Sequence, residues 1–409
     1  MAFLMLCFTS FLHLPIASPL PIDAATASGQ DPEQVVQDVV RSVNMPSLHR
    51  RRMVGECGSG NPVDDCWRCD PSWADNRQRL ADCVVGFGRA AIGGKNGKTY
   101  VVTDPSDDAD PASPAPGTLR YGVIQQEPLW ITFARDMTIR PKQDLLVASY
   151  KTVDGRGAGV VVRDGGACFV LRNVSNVIIH GLTIRGCKPA PALSPSAESE
   201  GDGITVFRAT NVWVDHCTLE ACVDGLIDVT DGSTNVTLSN NVLRNHNKTM
   251  LLGHSDDFTD DKNMKVTVAF NRFGPGLVQR MPRCMHDQEA MHFIFLIINN
   301  DYIKWEMYAI GGSASPTILS HGNRFLAAGC LNCENFLQVT KREVAPKSEW
   351  TWISESDTIL NGAFFTSSGT PTPDVKAPSL LAFAKAASFV PAITASVGVL
   401  SCKEALVSR

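Results

Sequence analysis

The sequence predicts an all-β fold: a right-handed parallel β-helix, or solenoid, with irregular N- and C-terminal segments. The first observation is an apolar pattern in which one core residue is followed by a second two positions later and a third seven positions later. It recurs as Val177/Ile179/Ile184, Val212/Val214/Leu219, Val236/Leu238/Leu243, Val266/Val268/Phe273 and Phe295/Ile297/Tyr302, and Ile318/Phe325 keeps its outer members. The second is the period, since the units start 35, 24, 30, 29 and 23 residues apart, a range typical of stacked repeats. The third is asparagine: four of six units carry it five places after the first residue, at Asn241, Asn271, Asn300 and Asn323.

Spacing of two puts both side chains on one face of a strand, and the third member falls past a turn. An inward Asn at that turn either tolerates left-handed backbone or stacks with its neighbours above and below. A β-sandwich would show similar strand spacing, but a recurring Asn belongs to a stacked repeat and not to hairpins.

A chain of 409 residues is long enough for two or three domains, yet solenoids of that length form one body, and a monomer is expected. Apolar content of 44% with 19% charged residues is ordinary for a globular protein. With a net charge of −5 and no basic run, nucleic acid is excluded as a partner. An acidic ligand would have to be captured by local cations and not by the global field.

Residues 1–25 are expected to be a secretory signal peptide. Residues 1–17 are apolar and lack Asp, Glu, Lys and Arg, and small residues follow at Ala24 and Ala25. His13 and Pro15 interrupt the run, which is shorter than the ~20 residues of a membrane span, so no membrane attachment is expected once the signal is removed. Of thirteen cysteines, Cys7 leaves with the signal and twelve remain, an even number that suits an oxidising, extracellular compartment. Asn173, Asn235 and Asn247 begin sequons usable there. Residues 26–55 read as a linker or short helix, 56–338 as the β-helix with an N-terminal Cys-rich cap, and 339–409 as a C-terminal segment packed along it. Cys66-x-x-Cys69 and Cys330-x-x-Cys333 are compatible with two halves of a zinc site or with disulfides.

The chemistry concentrates between Glu200 and Arg283. Asp202, Asp224 and Asp228 are followed by Lys248 in HNKTMLLGH and by Arg280 and Arg283 in RMPRC. Carboxylates followed by an Arg-Pro-Arg turn are what is needed to hold a hard cation against an acidic substrate, with a permanently charged donor beside the reacting carbon. Asp215-His216 reads as structural.

NPVDDCWRCDP, GFGRAAIGGKNGKTYVVTD, VDGRG, NVWVDHC, DGLID, MLLGHSD, VQRMPRC and NNDYIKWEMYAIGGSASPTI resemble the plant pectate lyases of polysaccharide lyase family 1, relatives of the cedar-type pollen allergens. The similarity spans roughly residues 56–402. It implies calcium-dependent β-elimination of polygalacturonate, the de-esterified backbone of pectin, to 4,5-unsaturated products. By motif position, Glu200, Asp202, Asp224 and Asp228 would be calcium ligands, Arg280 the catalytic arginine, and Lys248 and Arg283 substrate-binding groups. Two positions depart from the family pattern: Glu200 replaces an aspartate, and Met285 replaces the arginine of Cys-Arg-His-Gly, ahead of a longer loop.

Overall fold

The structure is a computed structural model, and it describes residues 58–108, 110–166, 168–189, 200–285, 294–313, 316–329, 337–343, 350–370 and 381–400. The expected signal peptide and linker lie outside the described residues, as do Cys330 and Cys333.

Three parallel sheets, of ten, nine and seven strands among the described residues, wind about one axis, as a right-handed parallel β-helix does. The apolar triplets mark two of the three. Val177, Val212, Val236, Val266, Phe295 and Ile318 stand in one register row of the ten-strand sheet. Ile184, Leu219, Leu243, Phe273, Tyr302 and Phe325 form the matching row of the nine-strand sheet. All twelve are buried in the interior, where Phe273, Tyr302 and Phe325 stack ring on ring.

The asparagines occupy the turn between these two rows. Asn241 Nδ2 donates to Asn271 Oδ1, Asn271 to Asn300 and Asn300 to Asn323, each at 3.0 Å, and every one of those oxygens also accepts a backbone N–H. The buried amides thus satisfy one another, a requirement for polar groups with no water to turn to. Left-handed backbone falls one residue earlier, at Asn240, Phe270 and Asn299, so the inward Asn stacks and its predecessor makes the turn.

The central strands of the ten-strand sheet are buried on both faces, so Ser175–His180 and Ile294–Ile298 carry near-continuous apolar runs, while threonines such as Thr237 and Thr267 take outer positions under the cap. Its outer residues Trp130, Ile178, Trp213, Leu296 and Leu319 meet Val63, Trp67 and Leu80 of the N-terminal cap, with Leu381 and Phe383 from the C-terminal segment. Within the cap, the 3-10 turn Gly86–Ala90 comes so close that a Cβ on Gly88 would lie 2.7 Å from the backbone N of Thr237. Phe87 N and Gly88 N donate to Thr267 and Thr237 hydroxyls there.

Disulfides join Cys66 to Cys83 and Cys168 to Cys187. The first removes the zinc alternative at Cys66, while Cys217, Cys222 and Cys284 are buried thiols. The ladder also runs past residue 338: Trp352–Glu355 and Thr358–Leu360 add a further rung to the ten- and nine-strand sheets.

Candidate active site

The seven-strand sheet positions the site. Its strands include Phe169–Arg172, Ile204–Phe207, Ile227–Thr230, Met250–Leu252, Arg283–Met285 and Ile310–Ser313. Alternation sends Phe169, Leu171, Ile204, Val206, Ile227 and Val229 inward. The outward residues form two rows. One runs Val170, Thr205, Asp228, Leu251, Arg283, and the next begins Arg172, Phe207, Thr230.

Asp228 therefore stands on the outer face beside Thr205, and Asp202, just ahead of that strand, folds back to join them. Asp202 accepts from Thr205 Oγ1 at 2.8 Å and from Gly225 N at 2.8 Å, and Asp228 accepts from Leu251 N at 3.0 Å. A Cβ at Gly225 would sit 2.4 Å from Asp228 Oδ1, which explains the glycine within DGLID. Asp224 accepts from Lys248 Nζ at 2.6 Å, and its carbonyl meets the His246 ring.

The electrostatics are those of carboxylates crowded without enough positive charge. Burial raises the pKa of Asp228 well above the usual range, and the Asp202 charge adds to it. Asp202 is raised too, chiefly by burial. Glu200 is raised by sharing a hydrogen bond with Asp224, then by burial and the neighbouring charges. Asp224 goes the other way: burial pushes it up, but the Glu200 hydrogen bond and Lys248 outweigh burial.

Arg280 follows the short strand Leu277–Gln279, which pairs with His246–Lys248. Its φ of 64° is left-handed, an unusual state for a residue with a side chain. Its carbonyl accepts from Met250 N at 2.8 Å, its buried Nε has no hydrogen-bond partner among the described residues, and its charge acts on both Asp224 and Asp228. Arg283 is elsewhere, two strands along the outer row from Asp228, with Nη2 2.7 Å from Glu343 Oε2. Met285 lies two residues on, in register with Ser313.

Six of the seven expected residues thus act on one another electrostatically: Glu200, Asp202, Asp224, Asp228, Lys248 and Arg280. They do not form a ready-made cage, since no group of three or more His, Cys, Asp or Glu is arranged to hold a metal among the described residues. The donor set still fits a calcium ion: hard carboxylate oxygens, crowded and partly buried, whose repulsion a divalent cation would relieve. Thr205, Gly225 and His246 were not anticipated; Gly225 lies inside DGLID and His246 opens HNKTMLLGH, whereas Thr205 falls in no motif.

Crowded carboxylates, a lysine and a left-handed arginine thus come together on the outside of a parallel β-helix. The family model described as pectate lyase matches residues 136–392. A "Pectate lyase" of Zinnia elegans is 51% identical over 93% of this chain and 95% of its own. "Probable pectate lyase 22" of Arabidopsis thaliana is 52% identical over 98% and 92%. Among solved structures, the cedar pollen allergen Jun a 1 superposes with a TM-score of 0.77 at 45% identity, covering 83% of this chain and all of that one. The chain belongs to the pectate lyase family and is an enzyme of that class.

Proposed function

We propose that this enzyme cleaves polygalacturonate, the de-esterified part of pectin, by calcium-dependent β-elimination, leaving 4,5-unsaturated oligogalacturonides. The observation that carries the reading is the carboxylate cluster beside Lys248 and Arg280 on the outer face of the seven-strand sheet. A proton next to an ionised carboxylate is weakly acidic, because its loss adds charge to charge, so the carboxylate must be neutralised. Calcium, held by Asp202, Asp224 and Asp228 with Glu200 at the edge, would supply that neutralising charge.

Lys248 orients a second uronate by exchanging Asp224 for a substrate carboxylate. Arg280, acting as the neutral guanidine, takes the C5 proton; the C5–H electron pair forms the C4=C5 double bond as the C4–O bond breaks, and the departing O4 takes a proton from water. Free arginine has a pKa of ~12.5 or higher, so its role rests on placement beside C5. Arg283 becomes a substrate group on leaving Glu343. The enzyme works as a secreted monomer in the cell wall, after removal of residues 1–25.

The test is absorbance of unsaturated product from polygalacturonate with and without chelator. Full activity in excess chelator would remove calcium from the scheme. A second reading, a pectin-binding wall protein of the same fold with impaired catalysis, is favoured by Met285, where the family has arginine. Binding of polygalacturonate without product would select it.

A further inference from the structure

The hydroxyl of Thr249 has no use in the described fold. The residue is fully buried, its N–H donates to Gln279 O at 3.2 Å, and its carbonyl accepts from Leu226 N and Ile227 N. Its Oγ1, by contrast, has no hydrogen-bond partner among the described residues. Burying a hydroxyl unpaired is unfavourable, and a valine would fill much the same space without one.

Thr249 is the hydroxyl residue of the sequon Asn247-Lys248-Thr249. In the other two sequons the corresponding group serves the fold. Thr237 Oγ1 donates to Val85 O at 2.7 Å and accepts from Gly88 N at 2.9 Å under the cap, and Ser175 Oγ accepts from Asn176 Nδ2 at 3.3 Å. At Thr249 the demand for a hydroxyl therefore comes from outside the folded state, and acceptor recognition supplies such a demand. Asn247 itself is exposed, on the two-strand ribbon formed by His246–Lys248 and Leu277–Gln279. His246 and Lys248 both reach Asp224, so strand alternation turns Asn247 away from the carboxylates. Gln279 Nε2 donates to Asn247 Oδ1 at 3.2 Å, a bond that occupies the oxygen and not Nδ2, the atom that carries a sugar.

We infer that Asn247 carries an N-linked oligosaccharide. Its Nδ2 displaces the diphosphate of a lipid-linked oligosaccharide: the bond from Nδ2 to C1 of the sugar forms, the C1–O bond to phosphate breaks, and the amide gives up one proton. The inference rests on the proposed secretion of the chain. Directly ahead of Lys248, and joined to Gln279 beside Arg280, the glycan flanks the active site on the side away from Asp224.

The experiment is cell-free translation of the full chain with endoplasmic-reticulum microsomes, comparing the unaltered sequence, Asn247→Gln and Thr249→Val. Resistance to added protease reports translocation, and the mobility shift removed by endoglycosidase H counts glycans; neither readout needs turnover. Asn247→Gln and Thr249→Val should each carry one glycan fewer than the unaltered chain. Protected chains with equal glycan numbers would overturn the site alone. An unaltered chain that stays sensitive to protease would overturn the secretion reading and the site with it. Melting of unglycosylated protein checks the reasoning from the hydroxyl: Thr249→Val should melt at or above the unaltered chain, and a lower melting temperature would overturn that reasoning by showing that the fold needs the hydroxyl.

Discussion

Replacing Asp228 with Asn tests the cation site through stability, independently of turnover. Asp228 is 8% exposed, keeps one hydrogen bond from Leu251 N, and stands near the Asp202 and Asp224 charges. Asparagine retains the shape and can still accept that N–H, but it removes a charge that burial and two neighbours disfavour. In chelator, Asp228→Asn should melt above the unaltered protein, because a buried like-charge cluster loses a member. In calcium the order reverses. At one hundred times its dissociation constant, a ligand specific for the folded state stabilises by about 2.7 kcal/mol, a rise of several degrees for a domain of this size. The variant, short of a ligand and a charge, should lose most of that increment. Differential scanning calorimetry with chelator and with stepped calcium measures both quantities. A calcium increment in Asp228→Asn equal to that of the unaltered protein would refute the assignment of Asp228 as a ligand.

Three further outcomes are expected. Arg280→Lys keeps the charge but loses the planar fork and its direction, so kcat on polygalacturonate should fall about tenfold or more; a rate within about twofold would show that another group takes the proton. Met285→Arg restores a guanidinium on the outer face two residues beyond Arg283 and should raise kcat/KM about ten- to a hundredfold, while equal rates would show that the longer loop, and not the missing arginine, limits turnover. His216 is fully buried with Nδ1 2.9 Å from Gly398 O and Nε2 2.7 Å from Asp64 Oδ1, two acceptors that call for a doubly protonated ring. Burial lowers its pKa, but the Asp64 and Asp215 charges outweigh burial and raise it overall. A raised folded-state pKa adds stability that is complete below ~6.5 and is lost as pH rises through the folded value. His216→Gln should therefore cost about 3–5 kcal/mol at pH 5 and flatten the alkaline decline seen in melting curves.

The parts of the fold legible in sequence were those where every coil repeats the same demand. Val212 and Leu219 are read easily because the strands above and below need the same side chains in the same rows. The Asn ladder is read for the same reason: each buried amide is the partner of the next. The seven-strand sheet left no comparable trace, since loops of unequal length precede its short strands and its outer face is polar. That sheet decides which site residues are neighbours. Asp202 and Asp228 could be grouped from motifs, but only register sets Thr205 beside Asp228 and moves Arg283 along the row to Glu343. Glu343 lies far away in sequence and belongs to no motif. The last rung, at Trp352–Glu355, escaped notice because serine and tryptophan replace its aliphatic triplet.

The two ends of the described chain meet on one face of the solenoid. Asn61 donates to Asn240 Oδ1 and to the Ile393 carbonyl, and Gly398 N donates to Asn240 O, beside the His216 contacts with Asp64 and Gly398. An open stack of coils would fray from its ends one rung at a time. Here cap, central rungs and final segment are fastened at a single clasp midway along the stack, so peeling either end must break contacts belonging to the other. During synthesis the clasp closes last, because residue 398 emerges some three hundred residues after Asn61. Until then the outer face of the ten-strand sheet lacks the cover of Leu381, Phe383 and Ile393, apolar surface of the kind that makes incomplete folds prone to associate.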